Sequence, residues 1–396
     1  MDGLEVARST SEGSAAVRWL ARLVWLAVLS CGGCGSWRAP EFRLNMEGRD
    51  PRSVSIAQRT AIREALRDLF GTPDEPRVPE GVPLDVEKLR MAAGPVASDQ
   101  RGRQQGLYRQ HCGACHGVSG DGAGPAAILL NPYPRDFRNG VFKYTSTRSG
   151  MKPVREDLRR TLLRGLPGTA MPSFARLPEE EIEALIEYVQ YLSIRGETER
   201  YLFQLVVDEG EPLPLGVDAI ELVLEQGAMA AASLWGLPAQ DPAQWVVRPP
   251  PPIDSPDQLA LSIQRGRELY ASKDAECVKC HGPQGAGDGE QQDLYDDWNE
   301  AKRGVDAQQT ARRARLFTLP LQRLKARDFS EGIFRGGDRP EDLYLRIHVG
   351  IKGTPMPAAG PAPGAPGAYT EEEIWHVVHY ILSLSGRLSP PAVQRQ

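Results

Sequence analysis

The sequence predicts a mainly α chain in which two tandem, homologous helical domains are joined by extended, proline-rich connecting segments. Three observations carry that reading. Four sequence blocks occur twice in the same order. Each copy closes on apolar residues at helical spacing. The 40 glycines and 33 prolines among 396 residues call for many turns and linkers around modest helices. The length suffices for two domains or three. With 47 basic against 52 acidic side chains the formal charge is −5, which argues against a general nucleic-acid binder. No run of eighteen apolar residues codes an ordinary membrane-spanning helix.

Residues 1–36 read as an address. Arg18 and Arg22 precede the short apolar run Leu23–Leu29, and Ser30 and Cys31 follow. A positive region, an apolar segment too short to span a bilayer and a small residue before a processing point are the marks of bacterial export. Val28-Leu29-Ser30-Cys31 resembles the box at which a lipoprotein is cut and its cysteine lipidated. The expectation is a membrane-tethered lipoprotein, held through Cys31 on the periplasmic side of the envelope. The alternative is a local bridge between Cys31 and Cys34.

Residues 37–96 are expected to lie across the first domain as a strap, with one helix marked by Ile62, Leu66, Leu69 and Phe70 before a proline-rich run at 72–83. The first domain, 97–195, and the second, 257–388, carry the repeat. RGRQQGLYRQHCGACHG (101–117) is answered by RGRELYASKDAECVKCHG (265–282), and PRDFRNGVFKY (134–144) by ARDFSEGIFRG (326–336). GTAMP (168–172) is answered by GTPMP (353–357), and LPEEEIEALIEYVQYLS (177–193) by YTEEEIWHVVHYILSLS (369–385). The closing blocks are amphipathic helices: Ile182, Leu185, Ile186 and Val189 in one, Ile374, Val377, Val378 and Ile381 in the other, with a Thr370/Glu373 capping box. Tyr108 and Tyr270 are expected to pack at a helix crossing.

Between the domains, 196–256 form a linker with a helix near Ile220–Trp235, ending in the stiff run Pro249–Pro252. The second copy also carries a polar insertion, Gly289–Lys325, whose Arg312, Arg313 and Arg315 read as a solvated face. Residues 389–396 are a tail.

The chemistry lies in the cysteines. Six are too few to staple a chain of this size, and they fall in close pairs: Cys31/Cys34, Cys112/Cys115 and Cys277/Cys280. The last two pairs are each followed at once by histidine, His116 and His281, giving Cys-x-x-Cys-His. Two thiols at that spacing on a helical turn can add to the two vinyl groups of one haem, and the adjacent imidazole then meets the iron. Zinc would need four ligands, and the other histidines supply no such cluster. A thioredoxin-like redox pair would need a βαβ setting that is absent from the pattern. The sixth iron ligand should come from downstream, and Met171 and Met356, each in Gly-Thr-x-Met-Pro, occupy equivalent repeat positions. A thioether is neutral and soft, and Met/His ligation raises the haem potential.

On these residues each repeat resembles a class I cytochrome c module. The resemblance covers about half the chain. It implies a small helical globule around a covalently attached haem c, two in this chain, with His116 and His281 as proximal and Met171 and Met356 as distal ligands. Arg135 and Arg327, in the repeated Arg-Asp-Phe, are candidates to pair with haem propionates. Pro125 is expected to offer its carbonyl to His116, although Glu290 stands at the matching place of the second copy. His111, His348, His376 and His379 have no counterpart across the repeats and read as ordinary structural histidines.

The function implied is transfer of single electrons between redox proteins of a respiratory chain outside the cytoplasm, with no residue acting as acid, base or nucleophile. Two alternatives stand beside it. A di-haem enzyme, peroxidase-like or acting on sulfur compounds, would need one iron with an open position. A cytochrome subunit of a membrane respiratory complex would use the strap and linker as contact surfaces.

Overall fold

Helix starts and stops follow from local capping. The computed structural model describes residues 39–46, 49–50, 52–98, 102, 104–252, 255–297 and 319–388. Residues 1–40 and 41–396 form separate units, and of the first only Ala39 and Pro40 are described. The export segment, Cys31, Cys34, Arg312, Arg313, Arg315 and the tail therefore lie outside the described residues, and so does 298–318 of the insertion.

The principal helices are α1 (Ile56–Phe70), α2 (Val86–Ala92), α3 (Leu107–His111), α4 (Gly113–His116), α5 (Arg155–Arg164), α6 (Glu179–Phe203), α7 (Val217–Leu222), α8 (Ala230–Gln240), α9 (Pro256–Tyr270), α10 (Cys277–His281), α11 (Pro340–Val349) and α12 (Glu371–Leu384). Strand among the described residues amounts to one short antiparallel pair, Ala97–Ser98 with Gln104–Gln105. The mainly α class read from the sequence is the class observed.

The strap holds two helices where sequence pattern marks one. Ser55 and Gln58 open α1 with a reciprocal capping box, and Ile62, Leu66 and Phe70 bury its inner face. The second, α2, starts at Asp85, whose carboxylate accepts from the backbone of Glu87 and Lys88. Both pack on α6. Side-chain oxygens of the first domain hold the strap's backbone: Ser119 Oγ accepts from Arg43 N at 2.8 Å, and Glu187 Oε1 from Asp85 N at 2.8 Å.

Covered in this way, α6 runs to Phe203, well past the expected end at 193, because it is buried all round. Its charged residues inside the fold are paired, as burial requires: Arg195 Nη1 lies 3.0 Å from Glu199 Oε2. Gly196 lets the helix pass its own domain's Arg-Asp-Phe block; a Cβ there would come within 2.4 Å of Arg138 Cα.

The linker is a helical layer as well. α7 continues through a π-helical stretch, Val223–Met229, into α8. Val223, Ala228, Ala231 and Ala232 are buried in the same core as Leu202, Phe203 and Val206. The chain then runs along the junction of the domains. Val247 N donates to Ser146 O at 2.8 Å, in the first domain, while its side chain joins the core of the second.

In the second domain α9 crosses α12 at Gly266, whose missing side chain allows contact with the carbonyl of His376; a Cβ would sit 1.9 Å from that oxygen. Gly266→Ala forces the crossing apart. It is expected to cost about 2 kcal/mol or more, read as an earlier unfolding transition of the second domain in chemical denaturation. Thr370 and Glu373 form the expected capping box at the start of α12. The two domains also touch directly: Arg164 Nη1 lies 3.0 Å from Asp342 Oδ2, and Lys352 Nζ donates to Thr147 Oγ1 at 2.7 Å and to Met151 O at 2.8 Å.

Candidate functional site

One helical turn brings the motif residues together. In the first domain His116 N donates to Cys112 O at 2.8 Å, so the two thiols and the imidazole project from a single turn. The chain then doubles back: Gly122 N donates to His116 O at 2.9 Å and Gly124 N to Cys115 O at 3.0 Å. The second domain repeats this, with Gly287 N on His281 O at 2.9 Å and Gly289 N on Cys280 O at 3.2 Å. The tyrosines of the opening helices brace the same turn. Tyr108 Oη donates to Gly117 O at 2.9 Å, and Tyr270 Oη to Gly282 O at 2.7 Å.

Each imidazole is fixed through one nitrogen. His116 Nδ1 lies 3.0 Å from Arg135 O, and His281 Nδ1 lies 3.2 Å from Arg327 O. Burial holds both imidazoles below their ordinary range, which keeps them neutral, so Nδ1–H donates to the carbonyl and Nε2 is left with its lone pair. Phe137 stacks on His116 at 4.5 Å between ring centroids, and Phe329 on His281 at 4.6 Å.

The carbonyl acceptor corrects the expectation for Pro125. The doubled-back loop carries 124–126 to the backbone of α4, where Ala126 N donates to Ala114 O at 3.0 Å, and the Arg-Asp-Phe segment reaches the imidazole in its place. The correction also removes the mismatch at Glu290, since the acceptor in both domains is the main chain of the same repeated block.

The methionine loops are closed in the same way twice. Thr169 Oγ1 donates to Leu166 O at 2.7 Å and accepts from Met171 N at 3.2 Å; Thr354 Oγ1 donates to Ile351 O at 2.6 Å and accepts from Met356 N at 3.3 Å. Leu166 N and Ile351 N return to the carbonyls of Met171 and Met356, each at 3.1 Å.

These parts converge on two apolar crevices. Cys112, Cys115, His116, Arg135 and Met171 line the first, with Leu162, Leu185 and Val189 among its walls. Cys277, Cys280, His281, Arg327 and Met356 line the second, with Leu343, Ile347 and Ile381. Burial in the crevice pushes the Cys112 thiol up to about 12 and raises Cys277 too, which disfavours the thiolate that metal or disulfide chemistry uses. None of the four cysteines is in a disulfide. Among the described residues no three His, Cys, Asp or Glu side chains are grouped to hold a metal ion.

The donor set instead fits a haem: two thiols placed for thioether bonds, a neutral imidazole oriented by a carbonyl, a thioether sulfur and an apolar slot. A guanidinium beside each slot, buried in the first and partly exposed in the second, fits its carboxylates. Arg135 lies inside the first crevice, where burial lowers it to about 10. Arg327 lines the second and pairs with Glu331 at 3.3 Å.

Of the remaining histidines, His111 lines the first crevice, and His348, His376 and His379 line neither. His376 and His379 share Ser262 Oγ, at 2.7 and 2.8 Å, and His348 is buried against Gly360.

The family model described as Cytochrome c matches this chain over residues 102–193 and 263–385. No curated protein matches it. Among solved structures it is similar to a chain of the Kuenenia stuttgartiensis reducing HAO-like protein complex, at 26% identity and a TM-score of 0.47, covering 73% of this chain and 98% of that one.

Proposed function

The chain belongs to the cytochrome c family, and on that premise we propose that it holds two covalently attached haem c groups, one per crevice, and carries single electrons between redox proteins of an electron-transport chain. A bound haem supplies an iron that takes up one electron on going from ferric to ferrous and gives it back on oxidation. Cys112 and Cys115 would form the thioethers of the first site, and Cys277 and Cys280 those of the second. His116 and His281 would offer Nε2 to the iron, and Met171 and Met356 their sulfurs. Arg135 and Arg327 would meet propionates.

The observation that carries this reading is the duplication of the whole donor set with its hydrogen bonds, down to the carbonyl behind each imidazole. A methionine in each crevice favours a carrier over an enzyme, which would need an open iron position. The Arg18/Arg22, apolar run and Cys31 order supports a lipid-tethered site of action on the periplasmic side of the envelope.

The test uses full-length protein matured with its haem. Two haems per chain that survive acid-acetone washing, both low-spin and both inert to peroxide and cyanide, are the expected result. Loss of colour on washing would overturn covalent attachment. A high-spin haem that binds cyanide in the unmutated protein would overturn the carrier.

A further inference from the structure

The two crevices share part of their wall. Lys143 and Tyr144 of the first domain line both. They are the last residues of the block 134–144, whose counterpart ends at Arg335 and Gly336. The ends of the two copies therefore meet, each bringing a cation, Lys143 from one and Arg335 from the other. Tyr144 fits because its counterpart is glycine: a Cβ on Gly336 would lie 2.5 Å from Tyr144 Cγ.

Arg346 closes the group, with its guanidinium 4.9 Å from the Tyr144 ring centroid and Nη2 donating to Gly336 O. It is 7% exposed, and its Nε and Nη1 make no hydrogen bond. Arg335 Nε makes none either. Lys143 Nζ reaches the buried carboxylate of Asp296 at 2.7 Å. Burial lowers Arg135, Lys143, Arg335 and Arg346 alike, each cation being drawn out of water at the seam. Guanidinium donors aimed into an apolar slot call for carboxylates from whatever fills it.

Resting on the di-haem reading, we propose that this seam is one propionate site common to both haems, in which Lys143 and Tyr144 act on both reduction potentials, Arg135 on the first haem's and Arg335 and Arg346 on the second's. A cation beside a haem opposes the extra positive charge of the ferric state, so a residue that borders both crevices raises both midpoints. A residue bordering one raises one.

Redox titration of the full-length di-haem protein separates these cases. Lys143→Gln is expected to lower both midpoints, each by about a tenfold loss in the reduction equilibrium, ~59 mV for one electron, with both haems still low-spin. Lys143→Arg restores both. Arg327→Gln, which alters the wall of the second crevice alone, lowers one. Lys143→Met is the second seam variant if Lys143→Gln does not fold, and it too lowers both midpoints, whereas Arg346→Gln, in the wall of the second crevice only, lowers the second alone. A Lys143→Gln protein in which only one midpoint moves, or neither, overturns the shared seam, and so does failure of arginine to restore them. Haem content, measured before titration, reports on the parent reading by itself: fewer than two haems per chain in the unmutated protein defeats that reading and not the seam argument alone.

Discussion

On the di-haem reading, Cys277→Ala combined with Cys280→Ala is expected to halve the covalent haem, leaving one group per chain on the first domain. The reason is local. Both thiols of the second site project from a single turn, α10, and no other described cysteine lines that crevice. The effect reaches further than the lost bonds. Tyr270, Phe329, Phe334, Ile347, Val377 and Ile381 wall a slot that a haem would fill, and without it their inner surfaces lose the burial that a core of this size depends on. The second domain should therefore unfold at lower denaturant while the first, backed by strap and linker helices, keeps its transition. Haemochrome absorbance and the mass of denatured protein measure the first effect. Two covalent haems in the double variant would contradict the assignment of the motif.

Met171→Ala leaves the covalent haem in place and changes its iron. The Gly-Thr-x-Met-Pro loop is held shut by Thr169 and by the Leu166 N to Met171 O bond, none of which needs the methionine side chain. The loop should keep its path while the sulfur is removed. The expected outcome is one high-spin haem of the two, loss of half the near-infrared sulfur-to-iron band, and a fall in that haem's midpoint on the order of 0.2 V, within the range of about 0.8 V that axial ligands span. This is several times the shift expected from Lys143→Gln, because a lost ligand acts on the iron itself and a lost cation acts across the ring. A low-spin spectrum with an unchanged midpoint would show that Met171 is a packing residue.

Much of this was legible in sequence because its signals are side chains at fixed spacing. Cys112, Cys115 and His116 announce themselves within one helical turn, and the second copy at Cys277–His281 confirms the period. Four features stayed hidden for physical reasons. The acceptor behind each imidazole is a peptide oxygen, at Arg135 and Arg327, and a peptide oxygen leaves no mark in a sequence. Helix α2 is only seven residues long, too short for an apolar period to show, although Asp85 ahead of it and Gly94 just beyond its end were readable punctuation. A linker helix near Ile220–Trp235 was legible but its burial was not, because it brings small residues, Ala228, Ala231 and Ala232, into the core it shares with α6 rather than a stripe of large apolar groups. The role of Tyr144 required knowing that the two copies touch at their matching ends.

That meeting of a phenol with an empty counterpart has an evolutionary corollary. Two first halves in tandem would bring two tyrosines to the same place, and two second halves would leave a hole there. The duplicated modules have ceased to be interchangeable, and their order along the gene is now part of the design.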